Sequence, residues 1–555
     1  MKNFILLFAL LIQTGNLTGK TDNTFTKADS LRGKLTPLRT CFDVTYYRLD
    51  IKVDPGQQFI SGSNKIQFRA TTDFDRMQID LVDNMKIEKI IFNEKSLKFH
   101  RDMTAVSIDY PVKLKKNKIY DVAIFYSGKP QVAKRPPWDG GLVWSKDERG
   151  NPWVAVTVQG DGAMLWWPNK EHQSDEPDSM LLSVAIPETL MNISNGRLRN
   201  KTKLNNGWTR WDWFISYPIN NYNVTLNIAK YARFDDIFVS ADGDTLTLDY
   251  YVLPYNLEKA KKQFEQVKPM LSCFEKLFGK YPFYRDGFKL VEGPHTGMEH
   301  QSAVAYGNFY RNGYRGRASS EYGLMFDFII IHETAHEWWG NSVTSKDIAD
   351  MWIHESFGAY AEALYVECLY GYDAYLIYQN GKKFGVVNDR PIIGQYDVNN
   401  PGSHDMYNKG SLILHTLRHV IAKDSLWFAI LYGIQEEFKY QTVTAEDIFS
   451  YINKMTGADF NYFYDQYFRH TSIPELEVIV TKQGQKISAR YKWHADVKDF
   501  KMPVKVTIKP GKFEFIYPET DWKTTELNIS QPEQFKIAED LFYLKTDLSF
   551  EYLNE

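Results

Sequence analysis

The string His332-Glu333-Thr334-Ala335-His336 sets two imidazoles four residues apart with a carboxylate beside the first. On a helix, positions four apart share a face, so both rings can reach one cation while Glu333 stands next to them. Glu355 follows nineteen positions after His336, at the start of a second helical pattern. Two nitrogens and one carboxylate form an incomplete tetrahedron, and its open fourth position is what separates a catalytic zinc from a structural one. The bland alternative is a helix with two unrelated histidines, and the placement of Glu355 weighs against it.

These residues need elements to hold them. The apolar period from Met325 to Trp339 predicts a helix within 320–339, and further helical patterns cover 355–370, 409–421 and 444–455. An earlier one runs from near Asn256 through Phe274 and stops at Gly279 and Pro282. Upstream, from about 42 to 242, short alternating runs such as Tyr46 to Val53 are broken by turns such as Asp54-Pro55-Gly56. Period two of this kind predicts an antiparallel β domain. Alternation returns after Pro474, in Glu475 to Val480 and Val504 to Ile508, as expected of a small β-sandwich. The expected fold class is therefore multidomain α+β: an N-terminal antiparallel β domain at 21–242, a mainly α domain at 243–472 and a C-terminal small β-sandwich at 473–555.

Composition narrows the function classes. A chain of 555 residues predicts three or four domains, or fewer if one is large. With 43% hydrophobic and 24% charged residues it has material for a core, which excludes a disordered or collagenous chain. The 66 Lys and Arg nearly balance 69 Asp and Glu, so there is no overall electrostatic case for nucleic acid or anionic membrane. Cys41, Cys273 and Cys368 are too few and too scattered for a disulfide framework, and the odd count leaves at least one unpaired. Lys2, the apolar run Phe4 to Ile12 and a polar, small-residue stretch predict a signal peptide over 1–20. That run is short for a bilayer, and no later run reaches eighteen apolar residues, so a soluble exported protein is expected, periplasmic or secreted if bacterial. Five Asn-x-Ser/Thr sites (Asn16, Asn192, Asn200, Asn223, Asn528) are glycan acceptors only in a eukaryotic secretory host.

HETAHEWWGN followed by DMWIHESFGAYAE resembles the M1 family of zinc aminopeptidases, gluzincins with the pattern H-E-x-x-H, eighteen residues, then E. The resemblance extends over DVTYYRLDIKVDP, ISGS, QGDG, TGMEH, YNKG and DQYFRHTSIPELEV, nearly the whole chain. It implies a thermolysin-like catalytic domain over 243–472 and a short form, since the family's large C-terminal helical domain has no room. It also implies one zinc ion per chain held by His332, His336 and Glu355, with Glu333 as general base passing the water proton to the departing amine. Tyr407, in Tyr407-Asn408-Lys409-Gly410, would be the donor to the oxyanion. Glu299, in Gly297-Met298-Glu299-His300, would bind the substrate's α-ammonium, with Gly297 and Met298 lining the substrate. Gln159 would line the first side-chain pocket and Asp161 offer a second, shorter amine anchor.

The sequence departs from the family at Thr296 and His300, where Gly and Asn are usual, at Glu337 in place of Gln, and at His354 and Ser356, where Asn and Gly are common. His354 is expected beside the ligands rather than as a fourth one, and Glu337 either raises local basicity or faces solvent. Glu362, two turns beyond Glu355, is expected to hold a ligand histidine. The implied function is release of N-terminal residues from peptides. The alternatives are a zinc endopeptidase of the same fold, which needs no ammonium site, and a non-catalytic peptide-binding or scaffolding relative. Side-chain preference, peptide length and oligomeric state stay open.

Overall fold

The computed structural model describes residues 25–553, so the expected signal segment lies outside the described residues. The N-terminal part is built on an eight-stranded sheet whose centre pairs Phe42–Asp54 antiparallel with Phe59–Ala70 and parallel with Ser179–Pro187. Alternation along Phe42–Asp54 buries Phe42 and Val44, then Tyr47, Leu49, Ile51 and Val53. The parity changes because a bulge lies between Val44 and Tyr46; the extra residue reverses which side chains face the core. A three-stranded and a four-stranded sheet complete this part around its own apolar core. From the four-stranded sheet, strand Pro152–Thr157 runs into the turn that carries Gln159.

A five-stranded sheet follows, in the order Ala232–Val239, Thr245–Val252, Phe288–Glu292, Val304–Tyr306 and Gly297–Met298. The expected boundary near 242 falls in the turn between its first two strands. The short edge strand Gly297–Met298 pairs antiparallel with Val304–Tyr306 and lies against the helix that carries the His-Glu-x-x-His string.

That helix spans Phe328–Ala335, shorter than the 320–339 segment predicted. The Asp327 carboxylate starts it by accepting from the Ile329 N–H, and the preceding residues form a separate 3₁₀ turn, Tyr322–Leu324. The next helix, Trp352–Tyr370, carries both Glu355 and Glu362 and is buried on nearly every side over its first four turns. Helix Asn408–Ile421 packs against it. A disulfide between Cys273 and Cys368 ties helix Val267–Phe278 to the far end of Trp352–Tyr370, leaving Cys41 as a buried free thiol.

After Pro474 come a four-stranded and a two-stranded sheet. They share one continuous apolar core with the helices. Polar contacts fix the join: the Tyr543 N–H donates to Thr416 Oγ1 at 2.9 Å, and His415 Nε2 bonds the Asp540 carbonyl at 3.0 Å. The architecture is thus the multidomain α+β one expected, β then mainly α then β.

Candidate metal centre and substrate cavity

His332 and His336 lie one turn apart, with their Nε2 atoms 3.3 Å from each other. Glu355 Oε2 stands 3.6 Å from the first and 3.5 Å from the second. A Zn–N distance of about 2.0–2.1 Å places two nitrogens of a tetrahedron about 3.3–3.4 Å apart, so the spacing fits a zinc ion. The outer ring nitrogens are committed elsewhere: His332 Nδ1 donates to Glu362 Oε1 at 2.7 Å and His336 Nδ1 donates to the Trp339 carbonyl at 2.9 Å. That leaves the two Nε2 lone pairs aimed at a common point, the donor set of a metal centre. His332, His336 and Glu355 are also the only such group of three among the described residues.

The electrostatics favour a cation. Burial alone would lower both imidazoles, but the carboxylates around them reverse this, pushing His336 up to about 9 and His332 well above its ordinary value. Burial pushes the Glu355 carboxyl up, and His336 and His332 beside it more than reverse this, holding it well below the usual carboxylate range. A site that attracts protons this strongly also attracts a divalent ion, which would displace them. Glu333, on the same helix, is pushed up to about 7 by burial, against the pull of the His332 imidazole. That range suits a group that must both accept and return a proton near neutrality.

Glu362 is itself anchored, its Oε2 accepting from Tyr378 Oη and from Lys382 Nζ, each at 2.7 Å. Tyr378 and Lys382 were not among the residues the sequence pointed to, and no local pattern links either to the motif. Glu362 was expected beside one of the two histidines, and its hydrogen bond to His332 places it there.

A cavity of about 280 Å³ opens on this cluster, and Gln159, Gly297, Met298, Glu299, Glu333 and Tyr407 are among its lining residues. Gly297 has to be glycine because a Cβ there would lie 2.7 Å from both Glu333 Oε1 and Ile329 Cγ2. Glu299 is buried, and burial raises its carboxyl. Gln159 Nε2 donates to Glu299 Oε1 at 2.5 Å and to Glu355 Oε1 at 2.9 Å, tying the β domain to both carboxylates. Tyr407 sits at the start of helix Asn408–Ile421 with its ring stacked 5.9 Å from that of His332. Burial pushes its phenol far up, so it stays a neutral donor. The helix can come this near because residue 410 is glycine; a Cβ would be 2.0 Å from Ser356 Oγ.

Asp161 is not brought to this cavity. Its carboxylate accepts from the Gly140 N–H at 2.5 Å, and the turn of left-handed Gly160 and Gly162 around it directs the side chain that way. Glu337 neither faces solvent nor approaches the cluster: it is buried, accepts from the Ser302 N–H at 2.8 Å, and is pushed up to about 8 by burial. His354 is no ligand, since its Nε2 accepts from the Ser345 N–H at 2.8 Å.

Residues 262–467 match the family described as Peptidase family M1 domain. Leucyl aminopeptidase of Saccharolobus solfataricus is 21% identical over 401 residues, 66% of this chain and 49% of that protein. Aminopeptidase B of Mus musculus is 26% identical over 255 residues, 43% of this chain and 36% of that protein. The chain thus spans half or less of the length of these relatives. An M1 zinc metallopeptidase from Deinococcus radiodurans has the same fold, with a TM-score of 0.65 at 20% identity over 78% of this chain and 94% of the other. A mutant form of an M1 zinc metallopeptidase from that organism, described as bound to a Tyr-Ser-Ala substrate, gives a TM-score of 0.64 at 20% identity over 78% and 95%.

Proposed function

We propose, with residues 262–467 a Peptidase family M1 domain, that this chain is a zinc-dependent aminopeptidase hydrolysing the N-terminal bond of peptides. The observation that carries the reading is the convergence of three metal-type donors beside Glu333, facing a strand that ends in the buried carboxylate of Glu299.

His332, His336 and Glu355 would hold the zinc, which when bound acts as a Lewis acid, acidifying a water and polarising the scissile carbonyl. Glu333 takes the proton of the attacking water and returns it to the departing amine. Tyr407 donates its phenolic hydrogen to the oxygen that becomes negative as the carbonyl turns tetrahedral. Glu299 pairs with the α-ammonium of the substrate, a group that is mostly charged at neutral pH with its pKa of about 7.7–8.0. Gln159 orients Glu299 and Glu355 together, and Gly297 and Met298 form the wall along which the substrate lies. An endopeptidase has no need of a buried carboxylate at the end of that wall, which argues against the endopeptidase alternative. A non-catalytic relative has no need of a base held in the neutral range.

Export is part of the same proposal. It is supported by the apolar N-terminal run and by the Cys273–Cys368 disulfide, since disulfides persist in oxidising compartments. N-terminal sequencing of the protein from culture fractions tests it; a cytosolic chain retaining its first twenty residues would end it.

The activity is tested with chromogenic aminoacyl amides, free and N-acetylated, on wild type, Glu299→Gln and Glu333→Ala. The expected pattern is cleavage of free amines only, little turnover with Glu333→Ala, and a loss of about a hundredfold in kcat/KM with Glu299→Gln, the effect of unpairing a buried charge. Equal cleavage of acetylated and free substrates by wild type would rule the reading out.

A further inference from the structure

We propose, resting on the aminopeptidase reading, that the cavity beyond the metal cluster receives a carboxylate carried downstream of the scissile bond. That carboxylate is either the C-terminus of a short peptide or an acidic side chain of a longer one. A second cavity, of about 720 Å³, adjoins the first, and Trp138, Tyr314, Phe328, His404 and Asn408 line both. Its charged lining residues are Arg315, Arg317, Lys382 and Glu362. Glu362 is committed to His332, and Lys382 is committed to Glu362, so these two offer nothing to a ligand. Arg315 and Arg317 are exposed and form no ion pair among the described residues; Arg315 donates to Thr296 Oγ1. Two guanidiniums with no carboxylate of their own give this cavity a net positive wall.

Position gives that charge its meaning. Along one segment, Glu299 marks the ammonium end, Gly297 lies where a Cβ would meet the Glu333 carboxylate, and Thr296 accepts from Arg315. A substrate with its ammonium at Glu299 and its scissile bond at Glu333 therefore points its downstream end at Arg315. From residue 299 to residue 296 the chain spans at most about 10 Å, as does an extended tripeptide. A guanidinium fork matches a carboxylate in shape as well as charge, although solvent limits the strength of an exposed pair.

The test compares kcat/KM for a neutral tripeptide as free acid and as C-terminal amide, and for amidated hexapeptides with Ala or Asp as second or third residue. In wild type the free acid or the Asp peptide is expected to be favoured by about tenfold over its neutral counterpart, and the preference should shrink in high salt. A preference confined to the tripeptide acid assigns the site to a terminal carboxylate; one for Asp assigns it to a side chain. The ratio should fall to near one in an Arg315→Gln, Arg317→Gln double variant and be partly kept in Arg315→Lys. Because it is a ratio within each protein, partial misfolding cancels. Equal rates for charged and neutral members of each pair in wild type would overturn the proposal while leaving the aminopeptidase reading intact, whereas no cleavage of any free-amine substrate would defeat both.

Discussion

Glu362 accepts a 2.7 Å hydrogen bond from His332 Nδ1, which turns the Nε2 lone pair of that ring toward Glu355 and His336. The carboxylate is in turn fixed by Tyr378 and Lys382, so the orientation of one metal-type donor depends on residues from the next helical segment. Replacing Glu362 with Gln should weaken zinc affinity by about 10- to 100-fold, the usual effect of losing such a partner. Competition against a chromogenic chelator measures this. Affinity equal to wild type would show that the contact does not orient the ligand.

The same residue carries a pH signature. Burial raises the Glu362 carboxyl, but Lys382 and His332 outweigh burial and hold it at about 2, against 4.5 for a free glutamate. The unfolded chain therefore binds this proton more readily. The stabilisation is complete above about pH 4.5 and is lost as pH falls from there toward 2, on the order of 3 kcal/mol in all. In zinc-free protein, urea unfolding at pH 6, 4 and 3 should show a steep acid loss that is clearly shallower in Glu362→Gln. Parallel curves for the two proteins would contradict this assignment.

Gly297 lies where strand and helix approach too closely for a side chain. An added Cβ meets Glu333 and Ile329 at 2.7 Å, so Gly297→Ala should displace Glu333, the proposed base. Displacements of about 1 Å can cost about a hundredfold in rate. The expected outcome is a fall in kcat of about 10- to 100-fold with zinc content unchanged, read by steady-state kinetics and metal analysis on the same sample. Unchanged kcat would mean that the strand shifts and Glu333 does not.

The two histidines of the cluster and the carboxylate of Glu362 were legible because helical spacing is local. Four residues separate the histidines by one turn, and seven residues place Glu362 two turns beyond Glu355, on the same face. Resemblance reached Gln159 and Glu299, which no local pattern would single out. It failed at Asp161, where two left-handed glycines turn the side chain onto Gly140. Glu337, expected either to raise local basicity or to face solvent, does neither because the turn that follows Ala335 is itself buried and leaves the side chain no outer face to occupy. The Cys273–Cys368 bond spans 95 residues, and Lys382 reaches Glu362 across a helix boundary; contacts of that range leave no mark on a sequence window. The overlong helix expected at 320–339 arose from apolar residues at both ends that are not α-helical: Leu324 and Met325, before the Asp327 cap, are exposed, and Trp338 and Trp339, beyond Ala335, are buried in the turn that follows.

Zinc titration into chelator-treated protein, following hydrolysis of a free aminoacyl amide, is the most direct measurement. Activity should be absent at the start, rise linearly, and level at one equivalent per chain, with Glu355→Gln needing a large excess. Full activity in the metal-free protein, or a plateau unaffected by changing His332, His336 and Glu355, would contradict a single catalytic zinc held by those three side chains.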